Sequence, residues 1–496
     1  MATHNTSTNR ARPWGEQWRH SAWFITLVVT FGIAADILTC AIIVPILPYR
    51  LQDLGYSDIS TLTSWLLFAY SGGIVSCTLP VSYIFHRHPY RRWPLVGAVI
   101  GMILAMVLFM LGKPYWTMLL SRFIQGACST VVWTVGFCLI CENVKAENVG
   151  RQLGFAMSGI SLGSSIAPPI AGALYDRLGW NAPFIFCIIV LSVDLLLRLF
   201  VLERSDIRKF HEKRLFLPPG TLKARLVDGT IVTSDDQGFK DVGFTELTKA
   251  EQDTLYGVEL KPWEVLGALI KSPRGMTAFA SMFVYGLIGG ALQPTLTLRV
   301  QELWNRNSEF VGLIYLAAAA PTLIAGPIVG ALSDKFGAEM IMLPCMVLLL
   351  PWPPLLLLKN NLAGFIVYFV FVNLFSTCAM NPSGLEATMV ARNIQGVSEI
   401  HQFGAMEIAF ALSNALGTLA GGQFYDNIPN HQGWTAVIWF IFGVSVVVMP
   451  MMFCFAGEPE RTLAMRLFGR WGWNLGQRKE RREKRENRHE SFIEIP

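Results

Sequence analysis

The sequence predicts an all-α membrane protein with twelve transmembrane helices in two six-helix bundles. Three observations lead there. The 496 residues are 52% hydrophobic and only 15% charged, whereas soluble domains run near roughly 25% charged. Twelve apolar stretches each hold about 20 residues, the length a helix needs to cross roughly 30 Å of hydrocarbon. One long polar interruption, residues 203–272, parts six stretches from six.

The polar N-terminal tail, residues 1–21, carries Arg10, Arg12 and Arg19, and the apolar run after it is too long for a signal-peptide core, so no cleavage is expected. The N-terminal bundle, residues 22–202, holds spans near 22–47, 61–84, 93–112, 115–140, 152–175 and 181–202. Asp36 sits near the middle of the first, in TFGIAADILTCAIIVPILP. A carboxylate at mid-depth costs about 2.5 to 3.5 kcal/mol on insertion scales, so one is usually kept because an ion or substrate path uses it. Arg122 lies about 10 Å into the fourth span at roughly 1.5 Å per residue, and apolar surroundings must supply it with a partner unless it snorkels to an interface.

In the fifth span Gly159, Gly163 and Gly172 leave one helix face nearly bare, and Pro168 and Pro169 remove backbone donors and bend the helix. That pattern fits simple helix packing, and equally a seam on which one half rocks against the other. Asp194 and Arg198, four apart on the sixth span, are expected to form a structural ion pair.

The linker, residues 203–272, is turn-rich and too poor in apolar periodicity for a packed domain, with a short amphipathic helix expected at TELTKAEQDTLYGVEL. The C-terminal bundle, residues 273–456, holds spans near 276–298, 310–333, 340–358, 362–385, 400–425 and 433–456. Glu407 lies about two turns into the eleventh. Glu386 falls at the inner end of the tenth, where a gate or loop contact is the expectation. Trp65, Tyr70, Gln125, Trp133, Tyr285, Gln293 and Asn373 are candidates for an amphiphilic pocket. In the basic tail, residues 457–496, Leu463, Leu467, Trp471 and Trp473 stand among arginines, which suits a helix lying on the inner membrane face. The run RKERREKRENR supplies much of the +5 net charge and is read as an inner-leaflet contact, not a nucleic-acid site.

All nine cysteines fall in or at the ends of spans, where they act as small apolar residues, so neither a disulfide framework nor a metal site is expected. Lys and Arg concentrate in the loops and tails that share a side with the N-terminus, among them Arg87, Arg91, Arg92, Lys145, Arg151, Lys335 and Arg392. Positive residues stay on the cytoplasmic side, so both termini are expected in the cytosol, with plasma and vacuolar membranes both allowed. That orientation discounts Asn5-Thr6-Ser7 as a glycosylation acceptor. Weak internal symmetry relates GPIVGALSDKFG, with Gly330, Asp334, Lys335 and Gly337, to SYIFHRHPYRRWPLVG in the first half. Two related bundles around a midplane site are the arrangement of repeat-built transporters.

Four segments resemble the major facilitator superfamily, over nearly all of residues 20–456. Asp36 followed by Pro45-Ile46-Leu47-Pro48 looks like the first span of drug:proton antiporters, with a likeness to vesicular amine transporters. SRFIQGACSTVVW matches an Arg-x-x-Gln-Gly pattern through Arg122, Gln125 and Gly126. GISLGSSIAPPIAGALYDRLGW is similar to the antiporter motif of the fifth span, and GALQPTLTLRVQELW again looks like the amine-transporter branch. The resemblance implies the major facilitator fold, a proton or cation role for Asp36 and Glu407, an Arg122 that modulates protonation of a nearby acid, and a gating role for the fifth-span glycines. Fungal multidrug and secondary-metabolite exporters belong to the same branch. The chain departs from the pattern at Gln293, where that branch has a Glu before the span-seven proline. It departs again in the first-half loop, which lacks the signature Asp, and after Lys335, where the usual arginines are missing.

The function expected is secondary active transport. The chain is read as a proton-coupled antiporter that exports or sequesters a small organic compound: an amine, alkaloid, drug or secondary metabolite. The rivals are a facilitator or proton symporter importing a sugar or other nutrient, and a membrane sensor without transport. No clustered ligands and no nucleophile with a base appear, so no enzyme is expected. No cofactor is expected beyond the proton gradient; the partners expected are the small substrate and the bilayer, with the chain a monomer.

Overall fold

The computed structural model describes residues 15–19, 21–87, 91–144, 146–201, 223–225, 231–233, 245–246, 261–359, 361–392, 394, 397, 399–428 and 432–457. Arg10, Arg12, Lys145, the Asn5-Thr6-Ser7 acceptor, the tail around Leu463 to Trp473 and most of the linker lie outside them, as do the side chains of Arg87, Arg151, Asp334 and Arg392.

In chain order the helices of the first half are α1 (Glu16–Arg19), α2 (Ala22–Ala41), α3 (Leu47–Asp53), α4 (Ile59–Arg87), α5 (Arg92–Leu111), α6 (Tyr115–Asn143), α7 (Ala146–Leu178) and α8 (Asn181–Phe200). Those of the second are α9 (Pro262–Lys271), α10 (Pro273–Trp304), α11 (Ser308–Phe336), α12 (Glu339–Leu349), α13 (Trp352–Leu355), α14 (Leu362–Met380), α15 (Ser383–Arg392), α16 (Glu399–Asn427) and α17 (Gly433–Phe455). Among the described residues, ten helices are long and apolar enough to cross a membrane. The other two crossings are the 33-residue α7, more polar than the rest, and the pair α12–α13. The chain is therefore a multi-pass membrane protein.

Helix ends follow local chemistry. Ser21, Ser272, Asn307 and Asn361 are N-caps whose side chains accept a hydrogen bond from the backbone three residues on, and Pro273 at the first position of α10 lacks an N–H that the helix cannot use there. Asn305 ends α10 in the left-handed region at φ 47°, and Gly337 ends α11 at φ 93°.

Prolines divide three of the apolar runs. The run 22–47 stops at Ala41 and turns through residues 42–46, around Pro45, into α3. The run 340–358 is not one helix: Pro351, Pro353 and Pro354 supply no N–H, so α12 ends and the short α13 follows. The run 362–385 ends at Met380, and Asn381-Pro382 intervenes before α15. In the linker, strands β1 (Lys223–Arg225), β2 (Ile231–Thr233) and β3 (Thr245–Glu246) pair antiparallel in the order β2-β1-β3. Thr245 and Glu246 are thus strand where the amphipathic helix was expected, because β-branched Thr245 pairs with Arg225; the rest of that segment lies outside the described residues.

Each half has its own apolar core. The first centres on Val99, Met102, Phe109 and Phe184, the second on Met342, Phe365, Phe369 and Trp434. Two seams join the halves: α4 lies along α16, and α7 along α11. Gly73 and Gly126 bring α4 and α6 into backbone contact, and Gly417 and Gly421 do the same for α16 and α10, since a Cβ at any of them would strike the facing backbone. The near end of the molecule is where α2 begins and α17 finishes; the far end is where α2 hands over to α3 and α4.

Candidate substrate and proton site

Asp36 is fully buried on α2, the helix that α6 and α7 flank. Its Oδ2 accepts from Ser129 Oγ at 2.6 Å and from Trp133 Nε1 at 2.7 Å, both on α6. Ser129 spends its proton on Asp36, so the Tyr70 hydroxyl on α4, 3.0 Å away, donates to Ser129. An indole N–H only donates, so Oδ2 remains an acceptor whether or not Asp36 carries a proton. The other oxygen, Oδ1, is buried with no partner. A proton or an ammonium group therefore has one place to bind on this carboxyl, and it is Oδ1.

Arg122 is fully buried on the same α6 face. Its Nη1 donates to Gln125 Oε1 at 2.5 Å, Gln125 Nε2 donates to Thr39 Oγ1 at 2.8 Å, and Thr39 Oγ1 donates to the Asp36 carbonyl at 2.7 Å. The guanidinium also stands 4.8 Å from the Tyr70 ring centre, an attractive cation–π geometry. Arg122 and Asp36 make no direct ion pair. They are linked by a hydrogen-bonded route through Gln125 and Thr39 to the Asp36 backbone carbonyl, and by the cation–π contact with Tyr70, whose hydroxyl reaches the Asp36 carboxyl through Ser129.

The second carboxylate comes from the other half. Glu407 lies on α16 with both side-chain oxygens buried and unpartnered. Along the same α16 face, Phe403 meets Phe137 of α6 at 5.0 Å between ring centres, Phe410 stacks on Tyr285 of α10 at 6.1 Å, and Asn414 donates to Ser71 of α4 at 3.1 Å. Trp133 packs edge-on to Phe137 at 5.7 Å. Two carboxyls with free oxygens are thus buried on helices of opposite halves, α2 and α16, and rings of both halves meet along α16. That combination suits a proton or a desolvated organic cation.

The remaining predicted residues divide by place. Gln293 is partly buried beside Pro294 on α10, and Asn373 donates to Phe369 O of its own helix at 3.0 Å. Trp65 is 42% exposed and packs on Phe68, outside this network. Asp194 and Arg198 form a buried pair at 2.8 Å, fitted against α2 at Gly32, where any Cβ would meet the guanidinium. The bare face of α7 serves two neighbours. Gly159 and Gly163 lie on α2, at Thr30 and Ala34, within the first half; Gly172 and Pro168-Pro169 lie on the start of α11, in the second. Both oxygens of Glu386 accept from one edge of the Arg274 guanidinium, Nε and Nη2, at the near end. Gly330 faces open space, Gly337 closes α11, and Lys335 is exposed with its Nζ 5.2 Å from the Phe336 ring centre.

Sequence reasoning did not single out Ser129 or Thr39. A signal for Ser129 was present: Arg122, Gln125, Ser129 and Trp133 fall at intervals of three and four, which aligns them on one helix face.

The model of the Major Facilitator Superfamily matches residues 23–297 and 275–467. The MFS-type transporter ppzB of Metarhizium rileyi is 26% identical over 472 residues, 87% of this chain and 96% of that protein. The synaptic vesicular amine transporter of Mus musculus is 22% identical over 80% of this chain and 66% of its own length, and the multidrug resistance protein MdtG of Citrobacter koseri 25% over 62% and 66%. Among solved structures, the human organic anion transporter MFSD10 shares the fold at a TM-score of 0.58 and 15% identity, covering 87% of this chain and 99% of the other. From its two-bundle architecture, its buried charged site and these matches, the chain belongs to the major facilitator superfamily of transporters.

Proposed function

We propose that the protein is a proton-coupled antiporter that exports or sequesters a small organic amine. The observation that carries this reading is a pair of buried carboxyls: Asp36 Oδ1 and both oxygens of Glu407 are buried without partners, on opposite halves, with Trp133 bonded to Asp36 Oδ2 and ring pairs joining α16 to α6 and α10. A protonated amine satisfies both carboxylates and lies against the rings; with the amine gone, protons neutralise the same oxygens. Amine and proton compete for one site, which yields exchange without further machinery. The likeness to vesicular amine transporters and to a multidrug resistance protein supports this class of substrate.

In this reading Ser129 and Trp133 fix Oδ2, Oδ1 receives the proton, and Arg122 lends positive potential through Gln125, Thr39 and Tyr70. The near end faces the cytosol, as the distribution of Lys and Arg supports, so the contacts at the far end close the external or vacuolar side. The chain acts as a monomer with no cofactor, driven by the proton gradient. The test is uptake of labelled aromatic amines into inside-out vesicles with and without an imposed proton gradient. Gradient-driven uptake that Asp36→Asn abolishes is expected; equilibration indifferent to the gradient contradicts antiport.

A further inference from the structure

The end of α7 and the end of α16 carry the same five-residue pattern, Gly-x-x-Tyr-Asp: Gly172 to Asp176 and Gly422 to Asp426. Each copy does the same thing to the opposite half. Asp176 accepts from Ser308 Oγ at 2.6 Å, from Asn307 Nδ2 at 2.8 Å and from the backbone N–H of Glu309 at 3.2 Å, all at the start of α11. Asp426 accepts from the backbone N–H of Thr61 at 2.6 Å, at the start of α4. The first N–H groups of a helix have no partner within it and carry a partial positive charge, so a carboxylate there acts as a cap. Here both capping carboxylates come from the other bundle.

The rest of the pattern fits the same purpose. Gly172 and Gly422 allow the backbones to meet, since a Cβ at either would strike Ser308 or Ser64 at the start of the capped helix. Tyr175 donates to Asp53, the last residue of α3 in its own half, at 2.9 Å, and Tyr425 lies beside Glu302, near the end of α10 in its own half. Asp58, just before α4, is in the left-handed region at φ 53°. The helix start at α4 thus takes a cap from outside its own bundle.

We infer that Asp176 and Asp426 are paired positioning residues that lock the far end shut, each by capping a helix of the opposite bundle, and that opening this end requires both caps to break. The two locks are exchanged by the internal symmetry of the halves and stand at opposite seams, α7 with α11 and α16 with α4. Neither makes a hydrogen bond to the Asp36 network, so a test of the caps does not depend on which substrate the protein carries.

The test uses the detergent-solubilised full-length protein with Ser64→Cys, a fully buried position against Gly422 at the far end, as reporter. Its rate of modification by a hydrophilic maleimide, read by peptide mass spectrometry, is proportional to the open population. Loss of one helix cap corresponds to about a fivefold rise in that population. Asp176→Ala and Asp426→Ala are each expected to raise the rate by about fivefold, and the double variant by about 25-fold. Asp176→Asn and Asp426→Asn keep an acceptor and are expected to stay within about twofold of the parent. Unchanged labelling in the double alanine variant overturns the proposal. So does an asparagine variant as leaky as alanine, which is the decisive comparison if the alanine variants fail to fold.

Discussion

Gly163→Ala is the sharpest test of how the site is positioned. Gly163 on α7 sits where α2 carries Asp36, and a Cβ there would lie 2.5 Å from Ala34 O, 3.0 Å from Ile37 Cβ and 3.1 Å from Leu38 N. Ordinary contact needs about 3.5 Å, so α2 must retreat by on the order of 1 Å, and forced overpacking of this kind costs about 1–3 kcal/mol. Alanine also raises helix propensity by about 1 kcal/mol over glycine, which confuses a single measurement. Gly97→Ala removes the confusion: a Cβ at Gly97 on α5 meets nothing within 4 Å. Both substitutions gain the same propensity, so the stability difference between them isolates the contact. Gly163→Ala should be about 1–3 kcal/mol less stable than Gly97→Ala, read as the midpoint of thermal unfolding in detergent. Uptake should fall in the first and not in the second, because moving α2 disturbs the geometry of the bonds from Ser129 and Trp133 to Asp36. Equal stability and equal uptake in the two variants would refute the claim that this glycine seats α2.

Three further outcomes are expected. Trp133→Phe keeps the ring beside Phe137 but removes the N–H to Asp36, a hydrogen bond to a charged group worth about 1.5–3 kcal/mol of stability; the unfolding midpoint should fall accordingly and gradient-driven uptake at a temperature where the variant is folded should drop at least about tenfold, and undiminished uptake would oppose the assignment. Glu407→Gln keeps size and removes charge, so binding of a cationic amine should weaken by about tenfold or more, on the scale of roughly 1.4 kcal/mol per decade, while an uncharged analogue binds as before; equal weakening of both would count against a charge role. Arg198→Met strands Asp194 as a buried unpaired carboxyl and should cost about 3–5 kcal/mol, most of it recovered in Asp194→Leu/Arg198→Met. A fully stable Arg198→Met protein, seen by thermal unfolding, would show that the pair is not structural.

What was legible in the sequence depended on how local the signal was. Twelve crossings follow from apolar run length alone, and the Asp194–Arg198 pair follows from spacing along one helix. The helix breaks at Pro351 and Pro382 were also written in the chain, but mean apolarity carries the eye across a proline that backbone hydrogen bonding cannot cross. Asp36 and Arg122 stood out because a charge at depth is costly. Ser129 and Thr39 did not, because a hydroxyl in a helix can satisfy itself on its own backbone at little cost, as Thr39 does, and only the approach of α6 to α2 gives Ser129 the Asp36 carboxyl and Thr39 the Gln125 amide. Asp176 and Asp426 escaped notice for the opposite reason. At the end of a span a carboxylate is cheap, so it reads as a loop charge, and its capping partner lies in the other half of the chain.

The central claim is that amine and proton exchange at Asp36 and Glu407. Its most direct test is proton movement itself: proteoliposomes with a pH-sensitive dye inside, at equal pH on both sides, to which an aromatic amine is added on one side. The account predicts that adding the amine drives protons out of the lumen as amine enters, and that Asp36→Asn stops this proton movement. Amine entry at the wild-type rate with no change in lumenal pH would contradict it.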